Sequence, residues 1–109
     1  MQAGELNRRV QFQRFTAVDD GLHMVETWAD HGSPIWAGRK DVSDSERAAA
    51  GWIEATSVAR FTIRSSTFTR GLTPKDRLTT EGREYDIQGI KELDHRGWLE
   101  ITAIARVDQ

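Results

Sequence analysis

The chain has 109 residues, a length that suits one compact domain able to bury a hydrophobic core without covalent cross-links. Apolar residues make up 38% and charged residues 29%, which argues against disorder, and the lack of cysteine excludes disulfides, thiolate metal sites and cysteine nucleophiles. The formal net charge of −2 removes the bulk electrostatic argument for nucleic-acid binding.

Targeting and membrane segments are not expected. No apolar run approaches the ~20 residues that cross a bilayer. The opening Met-Gln-Ala-Gly-Glu-Leu-Asn-Arg-Arg has no apolar stretch of the kind found in a signal peptide. These features predict a soluble, non-exported protein with no membrane contact. Because no linker or repeat interrupts the chain, we expect a single domain over residues 1–109.

The first third of the chain predicts strands, because apolar and polar residues alternate with a period of two. The first strand is expected over residues 8–15, with Val10 and Phe12 on one face, and a turn at residues 19–21 follows. Two further apolar segments cover residues 25–29 and 35–38. The sequence leaves open whether these two are arms of one hairpin or one bent strand.

One short helix is predicted after these strands. Ser43 and Glu46 have the spacing of a capping box, residues 47–50 are good helix formers, and Gly51 can end the last turn. The segment covers only about two turns and lacks an apolar stripe, so it would be marginal in isolation. We expect it to be an excursion from the sheet.

The second half of the chain again alternates. A long strand is expected over residues 53–64, a hairpin around Gly82 with Tyr85 and Ile87 inward, a β-bulge at Gly89, a turn at residues 94–97 and a last strand to residue 107. Six or seven short antiparallel strands predict an all-β fold, a small single-domain β-barrel with one short helix in a long inter-strand loop. Closure is favoured because long open edges invite aggregation.

No catalytic constellation is apparent. The three histidines, His23, His31 and His95, lack the spacing of metal ligands, and no serine lies in a nucleophile elbow. We therefore predict no catalytic, cofactor or metal site and no enzyme activity. Trp28, Trp52 and Trp98 fall off the main core faces and suit either an interface or burial under a second layer.

A succession of blocks along the chain points to a family. They are Met-x-Ala-Gly-x-Leu-x-x-Arg-Val at residues 1–10, Glu-Thr-Trp then Ile-Trp-Ala within 26–37, Arg-Phe-Thr-Ile-Arg at 60–64, Gly-Leu-Thr-Pro-Lys-Asp-Arg-Leu at 71–78, Gly-Arg-Glu-Tyr-Asp-Ile at 82–87 and Trp-Leu-Glu-Ile at 98–101. Taken in order, they make the chain similar to the tailed-phage head–tail joining proteins, also called head closure, head completion or stopper proteins. Such proteins also occur in prophages and gene transfer agents.

The resemblance implies a β-barrel that assembles as a six- or twelve-fold ring after DNA packaging, without a cofactor. The ring would dock below the portal or its adaptor, close the filled head and present a surface to the tail terminator or other tail proteins. It would surround double-stranded DNA without sequence specificity. The implied location is the head–tail interface of the virion, with the host cytoplasm as the site of assembly.

The resemblance also assigns a channel-facing, gating excursion to residues 39–52. Its candidate residues are Arg39, Lys40, Asp41, Asp44, Glu46 and Arg47. Since their charges are mixed, a specific DNA clamp is not implied, and an ordinary surface loop would also fit.

Twelve of the 15 basic residues are Arg, whose planar head group suits interfaces. The candidate interface residues are Arg8, Arg9, Arg14, Trp28, Trp36 and Trp98. The main alternative function is a nucleic-acid-binding barrel of the OB or SH3-like kind, which would bind single strands by aromatic stacking. An adaptor or tail-terminator subunit is disfavoured because the chain has too little helix.

Overall fold

The computed structural model describes residues 6–19, 21–49, 51, 57–93 and 97–105, without the side chains of Val18, Glu26 and Asp44. Within these ranges the chain forms seven strands, one short α-helix and one 3-10 turn. They are β1 (Arg8–Asp19), β2 (Met24–Asp30), β3 (Ile35–Asp41), α1 (Asp44–Ala49), β4 (Val58–Arg64), the 3-10 turn (Thr69–Gly71), β5 (Arg77–Thr80), β6 (Arg83–Glu92) and β7 (Trp98–Ala105). None of the described helices is long and apolar enough to cross a membrane.

Six of the strands close into an antiparallel barrel in the order β1-β3-β4-β7-β6-β5. Closure depends on β1, which pairs with β3 through residues 8–10 and with β5 through residues 11–13. The all-β barrel prediction is confirmed. Within the barrel, closing the sheet gives each of these six strands a neighbour on both sides, so the barrel itself presents no open edge for aggregation.

The barrel interior is filled by the side chains that the alternating pattern placed inward. Phe12, Phe61, Leu78, Tyr85 and Ile101 are fully buried, and the rings of Phe61 and Tyr85 pack edge to face with centroids 5.5 Å apart. Every second residue of β7 is buried, as predicted for the last strand. Burying an aromatic or branched aliphatic side chain is worth about 1.5–3 kcal/mol, so this cluster stabilises the barrel.

The turn and the irregularity predicted in the second half are confirmed. Glu81 and Gly82 both have positive φ, 53° and 79°, the geometry of a two-residue hairpin turn between β5 and β6. The register of β6 against β7 shifts between Ile87 and Gly89, which is the predicted bulge. The expected strand start over residues 53–56 and the turn at residues 94–96 lie outside the described residues.

The first strand is longer than predicted and leaves the barrel. β1 extends to Asp19 instead of Phe15, because β2 pairs with its outer part over residues 13–19. β3 pairs with β1 over residues 8–10, so β2 and β3 follow one another along β1. The hairpin alternative for these two segments is therefore wrong, and the bent-strand alternative describes their path.

The interruption between β2 and β3 is packed by an aromatic ring. Gly32 lies there with φ of 74°, and a Cβ on it would lie 2.5 Å from the Phe68 ring. Phe68 also packs edge to face on Phe12 of the core and lies against His31. Only glycine satisfies both the backbone conformation and this close approach.

The short helix α1 is capped as predicted. The Glu46 amide donates to the Ser43 hydroxyl at 3.2 Å, and the Gly51 amide donates to the Ala48 carbonyl at 3.1 Å. The Glu46 carboxylate, which the capping box assigned to the Ser43 amide, accepts a hydrogen bond from Arg60 of β4. A helix of six residues thus depends on a tertiary ion pair as well as on its cap.

Candidate functional site

The most exposed apolar surface of the described residues lies outside the barrel. It is formed by residues 14–19 of β1, by β2 and by the turn that joins them; we call this unit the arm. Four large apolar side chains of the arm are exposed, namely Phe15, Met24, Val25 and Leu22, of which Leu22 is 90% exposed. An exposed apolar surface of this kind is typical of a protein–protein contact.

The base of the arm is fixed to the barrel by an ion pair between the partly exposed Arg14 and the buried Asp76. The Arg14 guanidinium donates to both carboxylate oxygens of Asp76, at 2.9 and 3.0 Å, and to the Gly71 carbonyl at 3.1 Å. Burial by itself raises the pKa of Asp76. Hydrogen bonds from Arg14 and from the Thr73 amide outweigh that effect and hold the pKa below its usual value.

A second anchor lies on the other face of the arm. The guanidinium of Arg77 lies 4.4 Å from the centre of the Trp28 ring and donates to Gln13 and Glu84 at 2.7 and 3.0 Å. Trp28 in turn packs edge to face on Phe15. Arg14 and Trp28, both predicted interface residues, therefore set the direction of the arm from within the subunit.

Two other predicted interface tryptophans lie near a separate surface pocket. The pocket has a volume of about 590 Å³ and is lined by Leu6, Asn7, Trp36 and Arg64; we call it the Trp36 pocket. Arg9 lies 4.8 Å from the centre of the half-exposed Trp36 ring. Arg64 lies 5.1 Å from the centre of the Trp98 ring, so one predicted interface residue, Trp36, lines the pocket, and Arg9 and Trp98 contact residues that line it.

Arg8 is not part of that pocket. Its guanidinium donates to Glu81, at the β5–β6 turn, over 2.5 Å. The side chains of both partners are about half exposed, so the pair is weak and remains accessible.

The predicted gating residues form ion pairs that hold their segment against the barrel. Arg39 donates to Asp41 at 3.0 Å and lies 3.9 Å from Glu81. Glu46 pairs with Arg60, whose hydrogen bond holds the pKa of Glu46 below its usual value. Lys40 is exposed.

The Glu46–Arg60 pair continues into a network on the barrel surface. The Arg60 guanidinium lies 3.7 Å from the Glu100 carboxylate, and the Lys91 ammonium forms an ion pair with the same carboxylate at 3.3 Å. Each cation in this network faces a carboxylate, so positive and negative charges alternate where α1 meets the barrel. Two gating predictions, the side chain of Asp44 and residue 52, lie outside the described part of the chain.

The described residues offer no group of three or more metal-ligating side chains. His31 packs on the Phe68 ring, 5.0 Å between centroids. His95 lies outside the described ranges.

The comparison with known protein families decides between the candidate functions. The phage head completion protein family matches residues 1–106. The chain belongs to this family. It is a structural protein of the phage head, and the predicted resemblance is confirmed.

Solved structures agree with this assignment. The head completion protein is similar to protein SF1141 from Shigella flexneri 2a, known from a solution structure, with a TM-score of 0.76, 26% identity and complete coverage of both chains. It is also similar to a chain in the virion of a native gene transfer agent particle, with a TM-score of 0.66 and 25% identity over 94% of this chain and 96% of that one. No curated protein matches it.

The arm is the feature of this head completion protein that the sequence reasoning missed. The signal was present, since Leu22, Met24 and Val25 are apolar residues at a turn, where polar residues are usual. The predicted strand end at Phe15 concealed it, because Leu22 and Met24 then belonged to a loop.

Proposed function

We propose that this head completion protein is a ring-forming head–tail connector. It docks below the portal or adaptor, closes the DNA-filled head and provides the attachment surface for tail proteins. The observation that carries the proposal is the family match over residues 1–106, which includes both the barrel and the arm. The similar chain in a gene transfer agent virion supports a place within an assembled particle.

The distribution of surfaces supports a ring. A closed ring of identical subunits needs two different contact surfaces on each subunit, one for each neighbour. The arm beyond residue 13 of β1 can supply both, because its two strands present different edges, and the Trp36 pocket near residue 7 offers separate surface for a further contact. We propose a six- or twelve-fold ring whose remaining faces meet the portal side and the tail side.

The gating role belongs to the same proposal. Residues 39–52 would face the channel, with α1 held back by the Glu46–Arg60 pair until the ring docks. Mixed charge on this segment, with Lys40 and Asp41 both exposed, suits a channel through which DNA passes without sequence-specific binding. The role requires no cofactor and no catalysis. The subunit would assemble in the host cytoplasm and reside at the head–tail interface.

The test is co-sedimentation of the purified protein with DNA-filled, tailless capsids of its own phage. We expect stoichiometric binding, improved DNA retention and restored joining of tails. Capsids that lack the portal are the control and should not bind. Absence of binding to capsids that carry portal and adaptor, together with tight binding of single-stranded DNA, would favour the nucleic-acid-binding alternative.

The gate is tested in the same assay with a variant in which a Gly-Ser linker replaces residues 43–51. We expect the variant to bind capsids at the wild-type ratio but to retain less DNA. Equal DNA retention by the variant and the wild type would show that the segment is an ordinary surface loop.

A further inference from the structure

Both long edges of the arm are free of backbone partners among the described residues. β2 pairs only with β1, and the part of β1 beyond Gln13 pairs only with β2. The His31 amide donates to the Phe12 carbonyl at 2.8 Å, which fixes the alternation of hydrogen-bonded pairs along the arm. The backbone groups of Phe15 and Ala17 on one edge, and of Met24 and Glu26 on the other, therefore point away from the arm.

These edges carry only some of the devices that keep sheet edges from pairing, since charged residues such as Arg14 and Glu26 are present but the stronger devices are not. The two segments read Arg-Phe-Thr-Ala-Val-Asp and Met-Val-Glu-Thr-Trp-Ala-Asp, without lysine, proline or glycine. Such devices are the rule on edge strands that stay single. β-Branched and aromatic residues, which favour strands, occupy both segments. A two-stranded ribbon outside a barrel is also marginal in water until further strands join it.

We infer that the arm pairs edge to edge with the arms of adjacent copies of this chain. β2 of one copy would lie antiparallel to residues 14–19 of β1 in the next copy. This inference rests on the proposed ring and names the element that joins its subunits. Rotational symmetry turns every arm the same way around the axis, so neighbouring β2 and β1 strands run in opposite directions.

A second copy fits these edges better than a foreign strand does. The two free edges are unlike and nearly equal in length, six and seven residues, and they lie on opposite sides of one arm. A foreign strand would cover one of them and leave the other open. In a closed ring each copy covers one edge of each neighbour. Each junction then gains about six backbone hydrogen bonds, two from each of the outward-facing residues Phe15, Ala17 and Asp19 of β1.

The side chains favour the same pairing. Phe15 and Trp28 already contact each other across the arm with ring centroids 5.6 Å apart. Lateral pairing would repeat aromatic and β-branched neighbours at each junction, the cross-strand pairs that stabilise sheets. The Arg14–Asp76 and Arg77–Trp28 contacts hold the arm at a fixed angle to the barrel, so all copies present their edges alike.

The test uses two proline variants that each block one edge. Glu26→Pro removes an outward amide of β2, and Ala17→Pro removes an outward amide of β1; proline is tolerated at such edge positions. Glu26→Ala and Ala17→Ser, which keep the amides, are the matched controls. Circular dichroism and thermal melting check that each barrel folds. Each protein is bound to DNA-filled, tailless capsids and cross-linked with glutaraldehyde.

We expect the wild type and both controls to bind at ring stoichiometry and to give cross-linked ladders beyond the dimer. Each proline variant alone should bind at least tenfold less and stay monomeric. A mixture of the two variants retains one compatible pair of edges, so it should give cross-linked dimers without larger species.

Results that overturn edge pairing differ from those that overturn the connector function. Proline variants that fold and give wild-type ladders would overturn edge pairing and leave the proposed connector function standing. A mixture that gives trimers and larger species would also overturn it. Failure of the wild type to bind capsids would overturn the connector function and this inference together.

Discussion

Phe12 and Phe15 lie three residues apart in one strand and have opposite surroundings. Phe12 is completely buried in the barrel, whereas Phe15 is 41% exposed on the arm. The change occurs at Gln13, the last residue of β1 that pairs with β5. Up to Gln13, β1 has neighbouring strands on both sides and packs on the core. Beyond Gln13, among the described residues, it pairs with β2 alone. The same strand thus contributes stability in one half and contact surface in the other.

The comparison shows how a small subunit separates folding from assembly. The barrel satisfies its own backbone by closing, so it requires no partner for its stability. In the arm, β1 and β2 satisfy the backbone groups of their inner edges only, and several apolar side chains are exposed. Substitutions in the barrel should therefore lower thermal stability, and substitutions in the arm should lower assembly with little effect on the barrel.

The largest effect is expected where the arm joins the barrel. Gly32→Ala places a Cβ at 2.5 Å from the Phe68 ring and forces an L residue to a φ of 74°. We expect a loss of about 2–4 kcal/mol in the free energy of unfolding, from overpacking and backbone strain together. Urea denaturation measures it.

Gly21→Ala is the matched control for that substitution. Gly21 also has positive φ, 92°, but a Cβ there meets no atom within 4 Å. Gly21→Ala should therefore lower the free energy of unfolding only through backbone strain, by about 1 kcal/mol. Equal losses for the two variants would mean that the Phe68 contact contributes nothing.

The next effect concerns the Arg14–Asp76 pair. Arg14→Ala leaves a buried carboxylate without its main partner, and we expect a loss of about 1–2 kcal/mol, less than for a fully buried pair because Arg14 is 42% exposed. Arg8→Ala, which breaks the exposed pair with Glu81, is the control and should cost under about 1 kcal/mol. A loss in Arg14→Ala no larger than the control would contradict the anchor.

The same pair predicts a pH dependence. Because the pKa of Asp76 in the folded protein lies below its unfolded value, its contribution is full above about pH 4 and is lost as the pH falls through the folded pKa. In Arg14→Ala the effect of burial is less opposed, so the folded pKa of Asp76 rises toward its unfolded value and the acid-dependent loss of stability becomes smaller. Thermal melts of the wild type and Arg14→Ala at about five pH values between about 2 and 6 would detect this difference.

A smaller and local effect is expected at α1. Glu46→Gln removes the charge that pairs with Arg60 and should increase hydrogen exchange of the α1 amides without changing the melting temperature of the barrel. Lys91→Gln removes a charge from the same network without touching the helix and is the control. If α1 exchange is the same in both variants, the ion pair does not hold the segment.

The smallest effect is expected inside the barrel. The Tyr85 hydroxyl is buried and has no hydrogen-bond partner among the described residues. Tyr85→Phe should therefore change the free energy of unfolding by no more than about 0.5 kcal/mol, or stabilise slightly. Phe61→Leu, which disturbs the neighbouring ring, should cost about 1–2 kcal/mol. A large loss in Tyr85→Phe would reveal a partner for the hydroxyl.

The sequence by itself determined the parts of this protein that depend on local chemistry. A period of two placed Phe61 and Ile101 in the core, and turn chemistry located the hairpin at Gly82 and the bulge at Gly89. The cap at Ser43 also followed from spacing. These features involve residues close in the chain, whose preferences act before the fold forms.

Only the tertiary structure decided which strands are neighbours. Alternation shows which face of β1 is apolar, but it carries no information about where β5 stops pairing, so the point at which β1 leaves the barrel, Gln13, could not be predicted. The same holds for Arg14, whose partner Asp76 is 62 residues away in the chain. Strand pairing and long-range ion pairs depend on how the barrel closes, and closure is a property of all six strands together.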